Sequence, residues 1–388
     1  MASYFQMGHN TENLVGEADL NLFKGIILSP LNRSPLELHK NIISFRKKGN
    51  YDIVFDPQLY FPRANKGLLK EHPYFPKDFE TADYSSLSWW IQLISNLIPY
   101  INVLDVDSVC SPIVYAKSWK EDYYKLSVEI KDHLFTVLKK ISPNKKCFLT
   151  IVINVNDLSD PEKIMKTATI VSSTNSDGFY VVFVNDLLPR REIKNTDDLL
   201  GMMKFISELK HTGKPIIVTH TASDMILYKY AGADHCATGK YFNLRRFSQS
   251  RFNETGEGGN QLPYWFEPNL LGFIRETDLV RILKEKPEII TSVDFKNKWS
   301  SIILNNISLT QPTSWIKYGW RQYLSVFGQI EQKIDFDRNF TELLLHNARN
   351  NWSTLNSKNI FMDEKNNDGS WAESWLGVIQ EFKKYVAY

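Results

Sequence analysis

Cysteine is scarce in this chain, and its three residues, Cys110, Cys147 and Cys236, are far apart. Because no Cys-x-x-Cys pair is present, the pattern argues against a disulfide framework and against a zinc site built from thiolates. Cys110 and Cys147 lie beside apolar runs, which is the usual setting of buried, inert thiols. We therefore expect both of these residues to be free and buried.

Long apolar runs are also missing, since none approaches the roughly 20 residues that span a bilayer. The N-terminus has no charged and then apolar secretory pattern, so we expect a cytoplasmic protein with no membrane partner. The formal net charge is only +2 at pH 7, and no overall basic field indicates nucleic acid. Any electrostatic argument for a ligand must therefore be local.

Several motifs of catalysis and cofactor binding are absent as well. No Gly-x-Gly-x-x-Gly follows the first predicted strand and no Gly-x-Ser-x-Gly elbow occurs, so neither a dinucleotide site nor a serine triad is supported. Four residues have side chains that suit zinc or manganese: His220, His235, Asp186 and Glu267. Their spacing matches neither His-x-His nor His-Glu-x-x-His, and we predict no metal and no cofactor.

What is present is typical of a folded α/β protein. Hydrophobic residues make up 43% of the chain and charged residues 23%, as in soluble globular domains. The 388 residues suffice for one large domain with an appendage, or for two or three ordinary domains.

Strand-like runs rich in Val, Ile and Phe alternate with amphipathic helical segments, which indicates a parallel sheet buried on both faces. The predicted strands are Phe23–Pro30, Tyr51–Phe61, Val109–Ala116, Phe148–Val155, Phe179–Val184, Pro215–Thr219, Ala233–Thr238 and Leu262–Leu271. This count favours a (β/α)₈ TIM-type barrel, and an open doubly wound sheet is the alternative. We assign residues 1–20 to a flexible N-terminus and residues 21–290 to the barrel.

Residues 291–388 have a different sequence pattern. They contain no apolar run typical of a strand in a parallel sheet, and they hold six of the ten tryptophans. We predict an appended helical C-terminal region whose aromatic side chains form its own core. A protein partner bound through this region is the alternative role of the aromatics. The polar stretch Asn347–Asp368 is predicted to be a loop.

The loops after the strands build the active site in barrels of this type. Asp56, Asp186 and His220 follow predicted strands, and we predict that they are catalytic; His235 and Glu267 are further candidates for the same rim. Asp56-Pro57 interrupts a clean strand, although Asx-Pro turns are common. Asp186 has a second interpretation as a helix cap.

The best local signal is a basic loop that follows Ala233–Thr238. It contains Lys240, Asn243, Arg245 and Arg246 directly after Gly239. Glycine lets a phosphate approach the backbone closely, while lysine and arginine supply charge and bidentate donors. We predict an anion site here. The alternative is a solvated basic turn paired with acids such as Glu254 and Glu257.

The segment GADHCATGKYFNLRRF resembles tRNA-guanine transglycosylases and their DNA-modifying relatives, in which a Gly-x-Asp strand leads into an arginine-bearing loop. FDPQLYF is similar to their Asp-led loop that handles the base. The resemblance implies that Asp56 handles a base and that Arg245 and Arg246 contact phosphates. Ala237 or a neighbour stands where the family has its nucleophilic aspartate, and the Cys/His zinc site of the family is absent. These departures argue against covalent base exchange and leave ligand or nucleic-acid binding.

Two functions follow from these patterns. In the first, the barrel is an enzyme acting on a phosphate-bearing nucleoside, nucleotide or nucleic acid, with transglycosylase or glycosidase-type chemistry at the rim carboxylates. In the second, it is a non-catalytic subunit of a larger complex that binds a nucleic acid or a protein. Arg251 and the aromatic side chains near the basic loop, Tyr241, Phe242 and Phe247, would add to nucleic-acid binding.

Overall fold

The computed structural model describes residues 3–17, 20–64, 67–188, 190–252, 262–290, 295–308, 315–364 and 367–387. Eight parallel strands form a closed barrel in chain order. They are β1 (Ser3–Gln6), β2 (Phe23–Ile27), β3 (Asp52–Phe55), β4 (Ser108–Cys110), β5 (Lys146–Asn154), β6 (Gly178–Val184), β7 (Ile216–Thr219) and β8 (His235–Thr238). The predicted (β/α)₈ barrel is therefore confirmed, and the open sheet is excluded by the pairing of β8 with β1.

Helices follow most of the barrel strands and surround the barrel. They are α1 (Pro35–Lys48), α2 (Leu87–Val103), α3 (Glu121–Ile141), α4 (Pro161–Ser172), α5 (Thr196–Lys210) and α6 (Met225–Ala231). Ser34 and Glu37 form a capping box at the start of α1, and Asn195 caps α5. Helix α2 continues through Pro99, although proline usually breaks or kinks a helix, and its apolar face is buried on both sides of the proline.

The N-terminus corrects the prediction of a flexible segment. Residues 3–6 form β1, which pairs with β2 on one side and with β8 on the other. Tyr4 and Phe5 are completely or almost completely buried. A strand of only four residues, buried on both faces, has neither the length nor the alternation by which strands are recognised from sequence.

The predicted eighth strand is the second correction. Residues 262–271 contain β9 (Tyr264–Glu267), which pairs antiparallel with β10 (Gly272–Arg275) in a two-stranded sheet outside the barrel. The short turn between them has Leu271 at a φ of 48°. So short a connection makes β9 and β10 antiparallel neighbours, and the place between β8 and β2 in the barrel is taken by β1.

The C-terminal region is helical, as predicted. Its described elements are α9 (Lys298–Ser308), α10 (Ile316–Phe336), α11 (Phe340–Ser357) and α12 (Trp371–Ala387), and α7 (Glu276–Glu285) and α8 (Pro287–Ile290) precede it within the range that was predicted to be barrel. Helix α10 packs on β9 and α6, and α12 packs on α5, so the region lies against the barrel. Helix α11 extends to Ser357, which shortens the predicted loop.

Most tryptophans of this region are internal, as the core interpretation requires. Trp315, Trp352, Trp371 and Trp375 are at most 2% exposed. They therefore do not form a surface for a partner. No helix in the described part of the chain is long and apolar enough to cross a membrane. The three cysteines are buried and free, as expected.

The strand that closes the barrel is expected to be essential for stability. Replacing Phe5, which is fully buried, by alanine should lower the free energy of unfolding by about 3–5 kcal/mol, because the cavity left between β1 and its neighbours is not refilled. Leu36→Ala, at a side chain that is 64% exposed, is the control and should change stability little. Urea denaturation of both variants measures the difference, and equal midpoints would show that β1 does not close the barrel in solution.

Candidate functional site

The mouth of the barrel, where the sequence places the catalytic residues, is filled by aromatic side chains. After β8 the chain crosses this mouth, and Phe247 pairs with Val184 at the end of β6. The ring centre of Phe247 lies 5.2 Å from that of Tyr60 and 5.0 Å from that of His220. Phe61 and Phe252 complete the cluster. We call residues 245–252 the plug segment.

Asp56 lies beneath this cluster at the carboxyl end of β3 and is 1% exposed. The hydroxyl groups of Tyr60 and Tyr180 donate to its Oδ2 atom at 2.9 and 3.1 Å, and the backbone N–H of Gln58 donates to Oδ1 at 2.9 Å. Burial, and secondarily the charge of Asp56, raise the pKa of both tyrosines. The Asp56 carboxylate is thus surrounded by hydrogen-bond donors and shielded from solvent.

The other two predicted catalytic residues also follow barrel strands, but they differ in exposure. His220 follows β7, is 4% exposed and has a φ of 58°, a strained conformation for a residue with a side chain. Its Nδ1 lies 2.9 Å from the Thr219 hydroxyl. Asp186 follows β6 and is exposed. The cavity next to His220 has a volume of about 10 Å³, which leaves room for no more than about one water molecule.

His235 and Glu267 do not lie at the barrel rim, and their predicted location is wrong. His235 is the first residue of β8, so it belongs to the opposite, amino end of the barrel, where its ring lies 5.1 Å from that of Tyr4 and its Nε2 is 3.1 Å from Lys24 Nζ. Glu267 belongs to the hairpin, and its carboxylate accepts from Trp265 Nε1 and the Asn269 backbone, both at 2.9 Å.

The basic loop divides its cations between two environments. Arg246 is buried and lies 3.8 Å from Asp224 and 4.0 Å from Glu192, and it donates to the backbone carbonyls of Leu188 and Arg191. Burial raises the pKa of Asp224, and that of Glu192 to about 7. Arg246 is therefore an internal counter-ion for two carboxyl groups, which corrects its predicted role as a phosphate contact.

Arg245 is also buried, but among aromatic rings. Its guanidinium carbon lies 3.7 Å from the ring centre of Tyr323 and 4.7 Å from those of Phe242 and Phe273. Nε and one terminal nitrogen donate to the carbonyls of Gly239 and Lys240. Burial lowers the pKa of Arg245 to about 10, so it stays cationic at neutral pH. No carboxylate of the described residues pairs with it.

Arg245 lines a cavity next to the basic loop, which we call the lateral cleft. It has a volume of about 460 Å³, within the range of small-molecule sites. Its walls are the loop after β8, the β9–β10 hairpin and the start of α10. The lining side chains are Arg190, Lys240, Tyr241, Phe242, Asn243, Arg245, Leu262, Pro263, Tyr264, Phe273, Arg275, Ile316, Gly319 and Trp320. Four of these are cationic and none is acidic.

Three of the four predicted anion-binding residues meet in the lateral cleft. Lys240 Nζ lies 4.3 Å from the ring centre of Trp320 and 4.9 Å from that of Tyr241, without an acidic partner among the described residues. Asn243 is exposed at the cleft edge. The acids Glu254 and Glu257, invoked by the alternative interpretation, lie outside the described residues, as does the side chain of Arg251.

Two glycines shape the cleft by close packing. A Cβ atom on Gly239 would lie 2.7 Å from the carbonyl oxygen of Gln6, and one on Gly319 would lie 2.7 Å from that of Tyr264. Gly239 thus allows the loop to leave β8 tightly against β1, a different role from the predicted approach of a phosphate. Gly319 lets α10 contact the hairpin directly.

The sequence did not identify Arg190, Arg275 or Trp320 as parts of this site. They come from the loop after β6, from the hairpin and from α10, and long-range folding brings them to the basic loop. The only sequence signal was indirect, since Arg190 lies in the loop of Asp186. Among the described residues, no group of three His, Cys, Asp or Glu side chains is placed to hold a metal ion.

Comparisons with known proteins do not assign this chain to a family. No protein-family model matches the sequence, and the search of curated proteins gives no match. Among solved structures, deoxyribose phosphate aldolase from Aeropyrum pernix is similar over 61% of this chain and 84% of its own, with 14% identity and a TM-score of 0.36.

The carboxyl transferase domain of Rhizobium etli pyruvate carboxylase is also similar, over 98% of this chain and 62% of its own, with 8% identity and a TM-score of 0.36. The present chain thus spans less than two thirds of that structure. Such distant likeness carries no argument about substrate or chemistry. The resemblance to transglycosylases continues to rest on the two sequence segments.

Glu267 provides a pH-dependent test of the hairpin next to the cleft. Burial raises the pKa of its carboxyl group to about 7, and an unfolded glutamate titrates near 4.5. The folded chain therefore binds the extra proton between these values, so the stability that Glu267 contributes is lost as the pH rises towards 7 and above. Glu267→Gln should stabilise the protein at pH 8 by about 2–3 kcal/mol more than at pH 5.

Chemical denaturation at the two pH values measures this difference. Glu276→Gln, at an exposed position, is the matched control and should show no such dependence. An equal effect of Glu267→Gln at both pH values would mean that the Glu267 carboxyl titrates normally in the folded protein.

Proposed function

We propose that this barrel protein binds a phosphate-bearing nucleoside, nucleotide or nucleic acid in the lateral cleft. The observation that carries the proposal is the buried, cationic Arg245, which has aromatic and carbonyl neighbours but no described acidic partner. An isolated buried charge is costly unless a counter-ion compensates it. An anionic ligand in the cleft that Arg245 lines would supply that counter-ion, with Lys240 as a second contact.

The aromatic walls of the cleft support a ligand that carries a base as well as a phosphate. Tyr241, Tyr264 and Trp320 line the cleft together with its cations. Bases stack on such rings with little regard to sequence, while lysine and arginine hold the phosphate. A simple inorganic anion would leave the aromatic surface unused.

The alternative function inferred from the sequence, binding without chemistry at the rim, fits the filled barrel mouth better. Asp56 is closed in by Tyr60, Tyr180 and the plug segment. Asp56 is 1% exposed and is not among the residues that line the lateral cleft.

Glycosyl transfer or hydrolysis at Asp56 is the second candidate function, and one observation favours it. The carboxylate lies at the carboxyl end of a barrel strand, where catalytic groups of this fold lie, and it receives two hydroxyl donors. If it acts, Asp56→Asn should lower base release from nucleosides or oligonucleotides at least about 1,000-fold while the melting temperature changes little. Equal rates in the wild type and the variant would remove Asp56 from any mechanism.

Lys240→Ala tests the binding proposal directly. The loss of one phosphate contact should weaken the binding of adenosine 5′-monophosphate about tenfold. For a short single-stranded oligonucleotide, the slope of log K against log salt should fall by about 0.7. Titration calorimetry or fluorescence anisotropy at several salt concentrations measures both quantities.

The matched control is Lys140→Ala, which removes an exposed lysine of α3 and leaves the net charge equal to that of Lys240→Ala. Its affinity should remain that of the wild type. Identical affinities for the two variants would place the phosphate outside the lateral cleft.

A further inference from the structure

Glu364 forms ion pairs with two arginines, Arg190 and Arg275, at the edge of the lateral cleft. Its Oε1 lies 3.1 Å from Arg190 Nε and 3.4 Å from a terminal nitrogen of Arg275, and it accepts from the Tyr264 hydroxyl at 2.5 Å. All three partners line the cleft. The Glu364 carboxylate therefore neutralises Arg190 and Arg275, two cations that also face the proposed ligand.

The same arginines also line a second cavity of about 290 Å³. Its other lining residues are Arg191, Glu192, Asp363, Glu364, Asn367 and Trp371. Glu364 lies at the boundary between the two cavities. The Glu364 side chain is 18% exposed and is therefore only partly buried.

The backbone around Glu364 is held independently of its side chain. The Asp363 N–H donates to Asp278 at 2.9 Å, and the Asp363 carboxylate lies 3.1 Å from Arg281. Asn367 donates to the Phe273 carbonyl at 2.8 Å. The Glu364 side chain can therefore turn away from the arginines by rotation about its own bonds, without unfolding the loop.

We propose that Glu364 is an internal competitor for the ligand, occupying Arg190 and Arg275 at the cleft edge until the negative charge of a phosphate held by Lys240 and Arg245 displaces it. This inference rests on the proposed function and adds a release step that every ligand of these two arginines must overcome. A carboxylate carries one negative charge, whereas a phosphate monoester carries about −1.5 to −2 at pH 7. A monoanionic ligand gains little by exchanging with Glu364, while a dianionic monoester gains from the additional charge.

Glu364→Gln keeps the size of the side chain and removes the competing charge. Binding of adenosine 5′-monophosphate should tighten about 5- to 10-fold, because the arginines no longer have to be released first. Adenosine 3′,5′-cyclic monophosphate has the same base and a single negative charge, and its affinity should increase by the same factor at most, because the release of the arginines is the largest cost that the substitution can remove. The preference of the protein for the monoester over the cyclic diester should therefore stay the same or become larger.

Glu373→Gln is the matched control, because it removes the same charge at a side chain that is 71% exposed and pairs with Arg349. Calorimetric titration should give wild-type affinities for this control. Unchanged or weaker monophosphate binding by Glu364→Gln would overturn the inference alone, since Glu364 would then hold the arginines in place for the ligand. An absence of binding in both the wild type and the variant would overturn the proposed function as well.

Discussion

The contact of the Arg245 guanidinium with the Tyr323 ring, 3.7 Å from its centre, joins three parts of the molecule. Arg245 leaves the barrel with the loop after β8, Phe273 belongs to the hairpin, and Tyr323 belongs to α10. The hydroxyl of Tyr323 lies 2.7 Å from that of Thr238, the last residue of β8. A single cation thus ties the barrel core to the C-terminal region and forms the inner wall of the lateral cleft.

The same loop explains why the cleft lies beside the barrel mouth. Arg246 turns to Asp224 and Glu192, and Phe247 then pairs with the end of β6, so the chain is drawn across the mouth. Aromatic packing fills the space that βα loops leave open in enzymes of this fold. The consequence is a cationic opening between the barrel and its appended helices, with Asp56 enclosed beneath the plug segment.

The fold was largely predictable because strand-like runs and amphipathic helical segments alternate regularly along most of the barrel sequence. Helix ends are set by local hydrogen bonding and φ angles, which depend on few residues, as the structure shows at Asn195, at Gly232 and in the Ser34–Glu37 box. The predicted number of barrel strands was correct only because two errors cancelled each other. The prediction missed β1 and included β9. Both are four-residue strands, and only pairing with distant segments decides which sheet such a strand joins.

The site was predictable only in part, for a related reason. Lys240, Asn243 and Arg245 are close in sequence and remain close in the cleft. The separate directions of Arg245 and Arg246 depend on acids and rings from other elements, and these are invisible in a local pattern. Arg190, Arg275 and Trp320 reach the cleft only through tertiary folding. The amino-acid composition likewise did not indicate that aromatic side chains would fill the barrel mouth above Asp56.

The position of a bound phosphate tests the central claim most directly. A crystal structure of the protein with adenosine 5′-monophosphate is predicted to show the phosphate in the lateral cleft, within hydrogen-bond distance of Lys240 and against Arg245. The base should stack on an aromatic wall of the cleft. A phosphate bound at the barrel mouth above Asp56, with the plug segment displaced, would contradict the account.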